Sequence, residues 1–126
     1  MIYTTHVTAT LDTVKEKLSD HAKEQGFGVL KEYSFKTLLE EKGFPIERDI
    51  TVYELCNPAV AQEALSTHPE ISVYLPCRIS LYKDGNDVVL STIGLEDIIS
   101  NFELEDELKV KLEGIFERIK ALIDSF

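Results

Sequence analysis

The sequence predicts an α+β domain built on a mainly antiparallel sheet of about five strands, with helices packed on one face. Three observations predict this class. Runs of β-branched and aromatic residues alternate along the chain with segments of helical periodicity, and a turn sequence separates two of the predicted strands. The longest helical apolar stripe lies in the C-terminal segment. Because the turn implies a hairpin of antiparallel strands, a purely parallel sheet is disfavoured.

The first half of the chain predicts three strands and three helices. The strands are Tyr3 to Ala9, a short run with Val29, Leu30 and Tyr33, and Ile50 to Leu55. The helices are one with Leu11, Val14, Leu18 and Ala22 facing inward, one from a Ser34 cap through Lys42, and one from Pro58 to about Leu65. The third helix follows Cys56-Asn57-Pro58, since Asn favours the N-cap and Pro the first helical position.

The second half begins with the clearest alternation in the sequence, from Ile71 to Lys83, which predicts one long strand. Its apolar face is Ile71, Val73, Leu75, Cys77, Ile79 and Leu81, and its other face is Ser72, Tyr74, Arg78, Ser80 and Tyr82. Pro76 implies an edge position or a bulge. Asp84-Gly85-Asn86 then predicts a hairpin with a strand from Val88 to Ile93.

Two helical segments complete the chain, a short one around Leu95 to Ile99 and a long one. The long helix carries the stripe Leu104, Leu108, Leu112, Ile115, Ile119, Leu122 and Phe126. Glu107 and Lys111 form a favourable pair one turn apart, and Gly114 inside the helix costs about 1 kcal/mol relative to Ala.

Size and charge limit the classes of function. The chain has 126 residues, of which 44% are hydrophobic, so we expect one soluble domain over residues 1–126. The net charge of −10 has no basic block, which argues against nucleic acids and anionic membranes as partners. The absence of a signal-peptide or membrane-spanning pattern and the presence of only two cysteines predict a cytoplasmic protein with reduced thiols.

No catalytic, cofactor or metal motif is recognisable. Gly26-Phe27-Gly28 follows a helix, where a nucleotide-binding fingerprint would follow a strand. There is no nucleophile elbow and no His-Glu-x-x-His, and His6, His21 and His68 lie in unrelated segments. We therefore predict no cofactor and no metal, and the sequence does not indicate an enzyme.

Cys56, Asn57 and Cys77 form a candidate thiol site. Cys56 directly precedes a predicted helix start, whose partial positive charge favours a thiolate, although a small buried residue is common at such a junction. Cys77 lies on the predicted apolar face, where a buried and inert thiol is expected. A bridge between them would stabilise the fold by roughly 3 kcal/mol, but their distance is not readable from the sequence.

Tyr74, Arg78 and Tyr82 form a candidate interface on the other face of the same predicted strand. Tyr and Arg are enriched at protein interfaces, whereas isolated exposed aromatic residues are also normal. The leading hypothesis is a binding or interaction module, homodimeric through its sheet, whose small-molecule or protein partner is unknown. The alternative is a thiol-dependent redox or sulfur-handling role with Cys56 as the reactive thiol and Cys77 as its partner.

Several short stretches together resemble a known family. They are Gly26-Phe27-Gly28-Val29-Leu30, Phe35 to Gly43, Leu55-Cys56-Asn57-Pro58 with Ala61, Ala64 and Leu65, and Leu75-Pro76-Cys77. In this order and spacing they resemble domain of unknown function 302. The resemblance implies a TATA-binding-protein-like α+β fold that usually forms dimers, with Cys56, Asn57, Pro58, Leu75, Pro76 and Cys77 as its marks.

Overall fold

Five strands form one sheet in a computed structural model that describes residues 1–126. The strands are β1 (Ile2–Thr8), β2 (Gly28–Ser34), β3 (Ile50–Cys56), β4 (Cys77–Asp84) and β5 (Asp87–Ile93), in the order β1-β5-β4-β3-β2. Every neighbouring pair is antiparallel, and Gly85 closes the β4–β5 hairpin with a φ of +60° that favours glycine. The predicted α+β class and antiparallel sheet are confirmed.

Five α-helices and one 3₁₀-helix complete the fold. They are α1 (Leu11–Glu24), α2 (Phe35–Glu41), α3 (Pro58–Thr67), α4 (Glu96–Asn101) and α5 (Asp106–Ile123), with the 3₁₀-helix at Pro69–Tyr74. The Ser34 and Asn57 side chains accept hydrogen bonds from the backbone N–H groups of Thr37 and Val60, so both predicted N-caps are present. None of these helices is both long enough and apolar enough to cross a membrane.

The core lies on one face of the sheet, against α1, α3, α4 and α5. Alternate residues of the three central strands enter it, and the stripe of α5 faces them, with Leu108, Leu112, Ile115, Ile119 and Leu122 buried. The opposite face, called the open face here, carries residues such as Ile93, Arg78 and Tyr82. Val52 and Val89 are buried on it but do not belong to the core cluster.

The long strand predicted from Ile71 to Lys83 is wrong before Cys77, where β4 begins. Residues Pro69–Tyr74 form the 3₁₀-helix, in which Ile71 is fully buried while Val73 is 78% exposed. The register explains the difference. Leu55, next to the end of β3, pairs with Cys77, so the residues before Pro76 have no partner strand, and Pro76 has no N–H to donate. Period-two alternation alone could not reveal this missing partner.

Candidate functional site

An apolar cavity of about 290 Å³ lies between the end of β3, helix α3, the Leu75–Pro76 turn and helix α5. Thirteen of its sixteen lining residues are hydrophobic, so an occupant would meet mostly carbon. The lining residues are Phe27, Leu30, Leu55, Cys56, Asn57, Val60, Ala61, Ala64, Leu65, Ser72, Leu75, Pro76, Cys77, Leu95, Leu112 and Ile115. All three residues of the predicted thiol site are among them.

Asn57 connects the start of α3 to the turn between α1 and β2. Its Oδ1 accepts a hydrogen bond from the Val60 N–H at 3.1 Å, and its Nδ2 donates one to the Gly26 carbonyl at 3.1 Å. The Asn-Pro sequence therefore both starts the helix and fixes its position against the neighbouring turn. This fixes the start of the helix that carries Val60 and Ala61 beside the turn that carries Phe27, and all three residues line the cavity.

Cys56 and Cys77 are neighbours at the ends of adjacent strands. Cys77 pairs across the sheet with Leu55, the residue before Cys56, and both thiols are free and partly buried. Burial, and to a smaller extent the nearby Cys56, raise the pKa of Cys77 from 9.0 to about 11. At neutral pH, Cys77 is therefore a neutral thiol that packs as a small apolar group.

The predicted interface residues are divided between two surfaces. Arg78 and Tyr82 lie on the open face, where Arg78 pairs with Glu54 at 3.3 Å and the Arg48 guanidinium lies 5.3 Å from the Tyr82 ring centre. Tyr74 belongs to the 3₁₀-helix. It accepts a hydrogen bond from Asn101 at 3.0 Å and packs edge-on against Phe102. The prediction that Tyr74 shares a strand face with Arg78 was wrong.

The sequence did not reveal that Phe27, Ala61, Leu112 and Ile115 line a common cavity. The periodicity of α5 marks Leu112 and Ile115 as inward-facing, but it cannot show whether an inward-facing side chain meets protein or a gap. No group of three or more His, Cys, Asp or Glu residues is placed to hold a metal ion. His21 stacks instead on Phe126, and His68 lies 3.5 Å from Glu105.

The fold and the cavity define a small antiparallel α+β domain with two thiols in an apolar wall. The family model described as "Domain of unknown function DUF302" matches residues 3–126, and the chain belongs to this family. The crystal structure of an uncharacterized conserved DUF302 protein from Bacillus stearothermophilus superposes with a TM-score of 0.84 at 26% identity, covering 98% of this chain and 95% of that one. No curated protein matches the chain significantly.

Proposed function

We propose that this domain binds a small molecule whose buried part is apolar, in the cavity beside Cys56 and Cys77. The observation that carries the proposal is the composition of the cavity wall, whose side chains present carbon and sulfur almost throughout. Ligand pockets typically measure about 300–1,000 Å³, so a cavity of about 290 Å³ suits a molecule at the small end of that range.

The expected affinity follows from the number of carbon atoms that a ligand would bury in the cavity. Each buried methylene contributes about 0.8 kcal/mol, so a chain of roughly eight carbons contributes about 6 kcal/mol. Immobilising the ligand offsets part of this, which places the dissociation constant between roughly 100 μM and 1 mM. 1-Octanol is therefore a suitable probe.

Cavity-filling substitutions test this proposal. Ala61 lines the cavity, whereas Ala59 is exposed on the same helix. Ala61→Phe therefore adds a ring that fills the cavity, and Ala59→Phe is the control that adds the same ring outside it. Octanol should raise the melting temperature of the wild type and of Ala59→Phe, because a ligand that binds only the folded state stabilises it. Ala61→Phe should lose the shift and Ala61→Leu should lose part of it. An equal shift in all four proteins would contradict cavity binding.

We also propose that the domain forms a homodimer through its open face. No core helix covers this face, and Ile2 and Ile93, which pair across β1 and β5, are 70% and 57% exposed on it. An exposed apolar pair on the same face as Arg78 and Tyr82 fits a self-complementary interface.

Sedimentation equilibrium distinguishes this interface from other surfaces. The wild type should sediment as a dimer and Ile93→Asp as a monomer, because the added charge would be buried without a partner. Val110→Asp is the control, since Val110 is 66% exposed on α5. A monomeric wild type, or a dimeric Ile93→Asp protein, would exclude a dimer through this face.

The second candidate function is thiol-dependent, and the shared location of the two cysteines favours it. With hydrogen peroxide as oxidant, the thiols would lose two protons and two electrons to form one disulfide, and the peroxide would become water. Free thiols also support the proposal of a reducing, cytoplasmic compartment. Mass spectrometry after peroxide treatment and alkylation should then show a Cys56–Cys77 bridge. Recovery of two alkylated thiols after peroxide treatment would contradict the redox role. A Cys56–Cys77 bridge already present in protein isolated from its native cells would contradict a reducing, cytoplasmic location.

A further inference from the structure

Arg118, on the last turns of α5, is an arginine without a partner in the chain. Arg78 pairs with Glu54, and Arg48 lies over the Tyr82 ring, but no carboxylate is within 4.0 Å of the Arg118 guanidinium. The Arg118 side chain is exposed at this position. Its five N–H donors are available to a ligand.

Arg118 stands at the Asn57 end of the cavity. A methyl group added to Gly26 would lie 3.5 Å from Asn57 Nδ2 and 3.7 Å from Arg118 Nη1, so both side chains converge on this glycine. Ile115 lines the cavity one turn earlier on α5, and helical side chains lean towards the N-terminus of their helix. The guanidinium is therefore beside the rim rather than in the apolar wall.

Two of the last carbonyls of α1 accept hydrogen bonds from backbone N–H groups rather than from this cation. The Ala22 carbonyl accepts the N–H groups of Gln25 and Phe27, and the Lys23 carbonyl accepts the N–H of Gly26. Asn57 Nδ2 is likewise engaged with the Gly26 carbonyl. Arg118 is thus the group at this rim that retains free hydrogen-bond donors.

We infer that the ligand is an amphipathic carboxylate, with an apolar tail in the cavity and its carboxylate on Arg118. This inference rests on the proposed function and specifies its ligand class. A planar guanidinium donates two parallel hydrogen bonds to a carboxylate, and the apolar wall offers such a head group no comparable site. An eight-carbon chain, the length used above for 1-octanol, serves as the probe of this ligand class.

Calorimetric titration with sodium octanoate and with 1-octanol tests this assignment, because the two probes share a tail and differ in charge. Arg118→Gln should weaken octanoate binding about tenfold and leave octanol binding within twofold of the wild type. Arg118→Lys should recover part of the octanoate affinity, because lysine restores the positive charge but cannot donate the two parallel hydrogen bonds of a planar guanidinium. Arg48→Gln, which removes an arginine from the open face, should change neither affinity.

The outcomes separate this inference from the proposed function. If octanol binds in the cavity and Arg118→Gln leaves octanoate binding unchanged, the carboxylate assignment is overturned while cavity binding stands. Equal weakening of both probes, accompanied by a lower melting temperature, would assign Arg118 a structural role at the end of α1 and would also overturn it. If neither probe binds the wild type, the proposed function itself fails.

Discussion

The two cysteines have different surroundings although they are neighbours. Cys77 begins β4 on the core side of the sheet, and burial raises its pKa to about 11. Cys56 ends β3 at the residue before the Asn57 cap, where the chain turns from strand to helix. In a thiol mechanism, Cys56 is therefore the better placed of the two to react first, and Cys77 would act only as its partner.

Because the pKa of Cys77 is raised in the folded state, the stability of the domain should fall at alkaline pH. The unfolded thiol ionises near pH 9.0 and the folded one near pH 11, so deprotonation in this window favours the unfolded state. The free energy of unfolding contributed by Cys77 should thus be fully present below pH 9 and fall by at most about 3 kcal/mol up to pH 11.

Urea unfolding of the wild type and of Cys77→Ala, compared across this window, isolates the effect from other alkaline titrations. The stability difference between the two proteins should shrink as the pH rises. A constant difference would mean that the Cys77 thiol ionises equally easily in both states.

Helix α5 contributes to both the core and the cavity wall, and the sequence predicted its apolar face. Of the predicted stripe, Leu108, Leu112, Ile115, Ile119 and Leu122 are buried, whereas Leu104 and Phe126 lie beyond the ends of α5 and are half-buried. Lys111 Nζ lies 3.3 Å from Glu107, as predicted, and 2.7 Å from Glu63 on α3. The contact with Glu63 ties two walls of the cavity together. It could not be predicted, since nothing in the local pattern says which helix lies opposite α5.

Gly114 in α5 offers a simple stabilisation. An added Cβ would meet no atom within 4 Å, so Gly114→Ala should raise the free energy of unfolding by about 1 kcal/mol through the smaller loss of backbone entropy. Gly26→Ala is the matched opposite case, because its φ of +84° strains any residue with a Cβ, and it should cost about 1–2 kcal/mol.

Chemical denaturation of the two glycine variants beside the wild type measures both effects. Opposite signs are expected. A destabilised Gly114→Ala protein would show that this glycine has a role in packing or motion that the open space around it does not reveal.

At the scale of the whole molecule, the sheet separates two surfaces with different proposed uses. One end of its covered face holds the cavity, and its open face carries Arg78, Tyr82 and the exposed Ile2–Ile93 pair. Strand and helix positions followed from local periodicity and capping. The cavity did not, because it depends on how closely α3, α5 and the Leu75–Pro76 turn approach, and that distance is a property of tertiary packing.

The failed part of the sequence prediction has the same origin. The residues around Tyr74 alternate as a strand would, but a strand needs a neighbour, and β3 ends before it could supply one. The residues of the candidate thiol site do lie together. Cys56, Asn57 and Cys77 were each placed by a local rule, namely a helix cap or strand alternation, and the antiparallel register then brought them to one cavity.

Methyl-resolved NMR of the isotopically labelled protein, titrated with 1-octanol, tests cavity binding most directly. Saturable shifts should appear at Val60, Leu75, Leu112 and Ile115, which line the cavity, and not at Val52 and Val89, which are buried on the open face. Ala61→Phe should abolish the cavity shifts. Shifts confined to the open face, or none at millimolar octanol, would contradict a ligand site beside the two cysteines.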